Sequence, residues 1–178
     1  MHVHHQHRYN EKKVELKLIL ILLLCLSSIF FAGCGNPDID VSAYGNQTIT
    51  LTGVVQPDGS EGKIALKISE LKEMDCVTVK THSTSDKIGE VKATGPLLET
   101  ILKKYEHTLS DYHRIVITAT DGYEIALNQP LIGDSELILA FGIDGKPLGV
   151  DEAPLRLIIP GSDSAYWIRM IKTIEFIK

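Results

Sequence analysis

The stretch Ala153-Pro154-Leu155-Arg156-Leu157-Ile158-Ile159-Pro160-Gly161-Ser162-Asp163-Ser164-Ala165-Tyr166-Trp167 decides how this chain is read. Leu155, Leu157, Ile158 and Ile159 form an apolar run too dense for a surface loop, and Pro160-Gly161 ends it abruptly. The run reads as a buried strand that delivers the chain into a polar Gly/Ser loop, a common way to build a binding rim. Arg156 is the one basic residue in the run, placed where a charge is costly unless it is paired.

Outward from this stretch, the bulk numbers set the frame. The chain has 178 residues, a formal charge of −5 and 44% apolar residues, which suits one globular domain. That charge argues against nucleic acid as a partner, because binding it needs a basic face. Residues 1–33 read as an export signal: Arg8, Lys12, Lys13 and Lys17 precede the apolar block Leu18–Ala32. The block is shorter than the ~20 residues of a spanning helix, so an uncleaved anchor is the weaker alternative. His2, His4, His5 and His7 precede the signal and would leave with it. With 1–33 set aside, the balance moves from −5 to about −7, and the remainder is long enough for one core. Cys34 and Cys76 are its two cysteines. His82, His107 and His113 have no ligand-type spacing to Cys76, so no zinc site is expected.

Residues 34–47 are polar, with Gly, Asn, Pro and Asp, and read as a tether; 48–178 reads as the domain. Within it, 49–55 and 63–68 alternate as half-buried strands of a long-looped hairpin. Ser69 is expected to cap a short helix over 70–74. Residues 76–82 and, more weakly, 88–94 read as strands. Gly95-Pro96 is expected to open the clearest helix, with Pro96 at its first position and Leu98, Ile101, Leu102 and Tyr105 on one face. Residues 115–120 and 123–127 flank Asp121-Gly122 as a hairpin. Residues 137–143 read as one strand, turned by Asp144-Gly145, and 171–177 as a closing strand. About nine strands and two or three helices give an α+β class rich in hairpins.

Several of these segments, in this order, resemble the sulfite oxidase-type oxidoreductase molybdopterin-binding domain. They are Gly95-Pro96-Leu97-Leu98 with Ile101-Leu102, then Ile117-Thr118-Ala119-Thr120-Asp121-Gly122-Tyr123, then Leu139-Ala140-Phe141 with Asp144-Gly145-Lys146-Pro147-Leu148. Pro154 to Gly161, and Tyr166-Trp167-Ile168 with 171–174, complete the set. The resemblance implies the sulfite oxidase catalytic-domain fold, with mixed β-sheets and a few short helices, and a molybdopterin cofactor. It also implies a cysteine thiolate on molybdenum just after the strand at 77–81. This chain reads Thr81-His82-Ser83-Thr84 there, with Cys76 several residues too early. Phe31-Ala32-Gly33-Cys34 likewise resembles a bacterial lipobox, which implies a lipid on Cys34 and a place on the extracytoplasmic face of the cell membrane.

The candidate cofactor-binding residues each carry a plainer alternative. Asp121 faces a ligand or only makes its turn. Arg156 contacts an anion or pairs with a carboxylate. Gly161, Ser162 and Ser164 offer donors to a phosphate or pterin, as the corresponding family loop does, or form an exposed turn. Tyr166 and Trp167 stack on a planar ligand, or Trp167 anchors the core. His82 sits near the missing thiolate position or merely ends a strand. A triad of Ser162, His113 and Asp121 lacks the G-x-S-x-G elbow. The expected function is a lipid-anchored binding or accessory module for a small anionic or pterin-like ligand. An oxidoreductase with atypical metal ligation is the alternative, and a structural surface module the third.

Overall fold

Alternation in Thr-Ile-Thr-Leu-Thr makes β1 (Thr48–Thr52), with Ile49 and Leu51 fully buried and the threonines outward or at the margin. β2 (Ile64–Lys67) pairs with it antiparallel, as the alternation predicts. The computed structural model describes residues 38–85, 89–129 and 131–178. The signal at 1–33, the lipidation candidate Cys34 and the first residues of the expected tether lie outside the described residues.

Two short helices differ from the sequence reading. α1 spans Ile68–Lys72, so it starts two residues before the expected helix, and Lys67 rather than Ser69 is its cap residue. Ile68 and Leu71 are fully buried, and Ile68 N–H donates to Gln47 O at 3.0 Å; docking on the preceding turn sets the start. β3 (Cys76–Thr81) then pairs with β4 (Val91–Pro96), which carries Gly95 and Pro96 inside the strand. α2 begins only at Leu98 and runs to Lys103. Proline was expected to open that helix, but Gly95 is held at the sheet by contact: a Cβ there would lie 2.0 Å from Leu139 O. Leu98 N–H donates to Leu137 O at 2.8 Å, so the helix starts where the chain leaves its partner strand. Of the expected face, Leu98, Ile101 and Leu102 are buried in α2, while Tyr105 lies beyond its end and is half-buried.

β5 (Arg114–Ala119) and β6 (Glu124–Asn128) form the expected Asp-Gly hairpin. A short helix not foreseen, α3 (Leu131–Asp134), follows. The single strand expected over 137–143 is broken. β7 (Ile138–Ala140) and β8 (Gly142–Ile143) lie in different sheets, with Phe141 fully buried between them. β9 (Lys146–Pro147) returns along β8. β10 (Arg156–Ile158) pairs with β7, and β11 (Ile171–Ile177) ends the described chain.

Three sheets result: β2-β1-β11-β5-β6, β10-β7 and β3-β4-β8-β9. In the first, β11 lies between β1, which it pairs in parallel, and β5, which it pairs antiparallel. This is a mixed-sheet α+β domain with a few short helices, as the sequence implies. One hydrophobic core joins the sheets, and Leu155, Leu157, Ile158 and Ile159 are fully buried in it. Each such side chain contributes about 1.5–3 kcal/mol by leaving water.

The expected tether over 34–47 is corrected where the structure describes it. Ile39, Val41 and Tyr44 are buried members of the core. The Tyr44 hydroxyl donates to Phe141 O at 2.6 Å and accepts from Leu148 N–H at 3.0 Å. Three apolar side chains spaced through a polar stretch are enough to hold it down. Among the described residues, no helix is long and apolar enough to cross a membrane.

Candidate functional site

The β5–β6 turn, β10 and the loop beyond β10 meet around a cleft of about 390 Å³. Its walls include Asp121, Tyr123, Arg156, Ser164, Trp167 and Arg169. Four of the eight candidate residues named from sequence, Asp121, Arg156, Ser164 and Trp167, are therefore brought together. Asp121 also makes its turn, since its Oδ1 accepts from Tyr123 N–H at 2.9 Å. Trp167 is 4% exposed; it anchors the core while its surface reaches the cleft. Its Nε1–H donates to Ile159 O at 3.0 Å and lies 3.1 Å from Ser162 Oγ.

Arg156 is mostly buried. Its Nη1 pairs with Glu152 Oε1, four residues earlier, and its guanidinium lies 5.9 Å from the Trp167 ring centroid. The pairing offsets the cost of a charge next to a buried strand. Its Nε is buried without a hydrogen-bond partner. An unsatisfied donor of this kind is costly; Nε itself is covered, and it is the rest of the Arg156 side chain that borders the cleft.

For the loop beyond β10 the sequence left two readings, donors offered to a ligand or a plain turn, and its groups are bonded within the protein. Gly161 adopts φ +73°, a left-handed turn that suits glycine. Its N–H donates to Thr81 Oγ1 at 3.3 Å. Ser162 N–H returns to Ile159 O at 3.1 Å, as does its hydroxyl at 2.8 Å. Ser164 N–H donates to Ser83 Oγ at 2.7 Å, and Ala165 N–H to Asp163 Oδ1 at 2.8 Å. Tyr166 and Trp167 N–H groups close a short 3-10 turn. These amides already have partners, so Gly161 and Ser162 do not form an open anion cradle. Tyr166 is 40% exposed and is not part of the cleft wall; His82 is exposed beyond the end of β3 and also stands outside it.

Ser83 explains the closure. It is buried, and its Oγ accepts from Ser164 N–H at 2.7 Å and from Ser85 N–H at 3.0 Å. Thr84 N–H adds a bond to Ser162 O at 3.1 Å. The loop after β3 is thus stitched to the loop after β10, and a hydroxyl that accepts two amides is poorly placed to ligate a metal. Cys76 sits at the far end of β3, with Sγ 3.8 Å from both Leu71 O and Lys72 O. Burial, and then the charges of Asp75 and Glu73, push its thiol up to about 11, away from thiolate chemistry. Among the described residues, no group of three His, Cys, Asp or Glu side chains is arranged to hold a metal.

Sequence reasoning missed Tyr123 and Arg169. Tyr123 follows the Asp-Gly pair directly, and Arg169 lies two residues beyond Trp167, so both flank residues that it had singled out.

Comparison with known proteins agrees with this geometry. A family model described as oxidoreductase molybdopterin binding domain matches residues 55–178. The sulfane dehydrogenase SoxCD from Paracoccus pantotrophus has a similar fold, with a TM-score of 0.62 at 14% identity. The match covers 80% of this chain and 40% of that one, so the chain spans about two fifths of that protein's length. A comparison with curated proteins gave no match.

Proposed function

Because the chain belongs to the oxidoreductase molybdopterin-binding domain family, we propose that it works as a binding or accessory module held at the extracytoplasmic face of the membrane through Cys34. Its ligand is a small anionic, planar molecule of the pterin type, taken into the cleft beside Arg156 and Trp167. The observation that carries this reading is the unequal state of the polar groups. Arg156 brings a charge to the cleft wall and keeps an unpartnered Nε behind it, while near the expected metal position Ser164 N–H is bonded to Ser83 Oγ and Gly161 N–H to Thr81 Oγ1. An anion in the cleft would meet the positive charge of Arg156, with the edge of Trp167 beside it.

The chain's own residues bind and orient; no step of a redox reaction is assigned to them. Arg156 supplies the fixed charge and Glu152 holds its guanidinium in place. The anchor reading is supported by the basic residues before Leu18–Ala32 and by Phe31-Ala32-Gly33-Cys34.

The test is purification of the full chain from a host that makes the cofactor, followed by molybdenum assay and fluorescence of extracted pterins. The expected result is pterin without stoichiometric molybdenum, lost in Arg156→Leu. Stoichiometric molybdenum would overturn the binding-module reading in favour of an oxidoreductase that holds its metal without a protein thiolate.

A further inference from the structure

The segment read from sequence as a spacer is packed into the core from Ile39 onward, and this sets how far the domain can stand from a lipid on Cys34. The five residue steps from Cys34 to Ile39 span at most about 18 Å when fully extended. A domain of this size is roughly 35 Å across. The connection is about as long as the radius of the body it holds, so it limits contact with the bilayer to the half of the domain centred on residues 38–44.

That side has its own apolar groove, of about 310 Å³, apart from the Arg156 cleft. Ala43, Tyr44, Leu148, Ala153, Pro154 and Met170 help to line it. Val150 stands at its edge and is 91% exposed. Tyr123 and Tyr166, the other exposed large apolar residues among those described, belong to the region of the other cleft. Val150 does not hang on a loose loop. Gly149 O accepts from both Glu152 N–H at 3.0 Å and Ala153 N–H at 2.8 Å, a tight turn that presents the valine outward. The groove also adjoins the N-terminal segment directly, through Leu148 N–H bonded to the Tyr44 hydroxyl.

We propose that this face, with Val150 at its tip, rests on the bilayer, and that the surface it fits is a neutral phospholipid one. The inference rests on the lipid-anchor reading. The groove and Val150 supply the apolar contact. The charges set the preference: Asp38 and Asp40 are exposed just before Ala43 and Tyr44, Asp151 is exposed next to Val150, and a surface rich in anionic lipid repels them. Lys72, which interacts electrostatically with Asp40, and Lys146 oppose that effect only in part.

The experiment uses the full lipidated chain in vesicles of phosphatidylcholine whose acyl chains carry a quencher. Val150→Cys, in a Cys76→Ser background, is labelled with an environment-sensitive fluorophore. Ser110→Cys serves as the reference, since Ser110 is exposed and lines a separate cleft with Leu97, Glu99 and Leu137. The probe at position 150 is expected to be quenched at least about twofold more than the reference, since each buried methylene is worth a severalfold change in partitioning. The difference should shrink when phosphatidylglycerol replaces half of the lipid. Fatty-acid labelling and flotation report the anchor separately. A chain that labels and floats, but whose two probes are quenched alike, overturns the bilayer face alone. A chain that neither labels nor floats overturns the anchor, and the face with it.

Discussion

On one side of Trp167, the loops Thr81–Thr84 and Gly161–Ser164 hold each other through Thr81, Ser83 and Thr84. On the other side, Arg156 keeps a buried Nε without a partner, and Arg169, Tyr123 and Asp121 open onto a cleft. Both border β10 and the loop beyond it, yet the serines, threonines and amides of one are bonded to each other, while the charged and aromatic side chains of the other face a cleft. Binding chemistry follows the unused groups, not the residue types.

The largest way to break this comparison is to remove the strand beneath both sides. Leu157→Ala deletes a fully buried side chain of β10 and should cost about 2–5 kcal/mol in urea unfolding. Amide exchange should rise together in the stitched loops and in the β5–β6 hairpin; a rise in one alone would mean the two sides are held independently.

Ser83→Ala should separate them. It removes the acceptor of Ser164 and Ser85 N–H groups and should cost about 1–3 kcal/mol. Exchange at the Ser164 amide should accelerate while that at Ala119, bonded to Tyr123 O, stays unchanged. Unaltered exchange at Ser164 would show that Ser83 does not close the loop.

The smallest effect is a pH dependence. Burial, then neighbouring acidic charge, raises the Cys76 thiol to about 11 and the Tyr112 hydroxyl to about 12. Both groups stay protonated in the folded chain at pH values where the unfolded chain has begun to release its protons. The unfolded state then binds fewer protons, so stability should fall as pH rises from about 9 towards 12. Thermal melts across that range should show the decline, and Cys76→Ala should make it shallower. At pH 8 only about one Cys76 in a thousand would be thiolate, so alkylation of the folded chain should be slow. Rapid alkylation at pH 8 would place Cys76 in a different environment.

The parts of the fold that could be read from sequence are those fixed by neighbours in the chain. Asp121-Gly122 and Asp144-Gly145 announce their hairpins, because few residue pairs suit such turns. The density of Leu155 to Ile159 announces a buried strand. The parallel pairing of β1 with β11 leaves no local mark, since the two strands are over a hundred residues apart. Pro96 misled because its fixed φ suits a strand edge as well as a helix start. The break between Ala140 and Gly142 follows from packing that involves Ile39, because a Cβ on Gly142 would lie 2.4 Å from Ile39 Cδ1. In the site, Asp121, Arg156, Ser164 and Trp167 were legible as residue types near turns and strand ends. That Gly161 and Ser162 were already engaged was not, because their partners lie about eighty residues earlier or within the turn itself.

The position of β11 has a consequence for how the chain is made. It occupies the middle of the five-stranded sheet, between β1 and β5, yet ribosomes produce residues 171–177 after every other strand described. Until then β1 and β5 have no central partner, and each presents an unpaired edge. The five-stranded sheet therefore cannot close before the last of the described strands has been made. Arrival of β11 is thus the step that completes the five-stranded sheet.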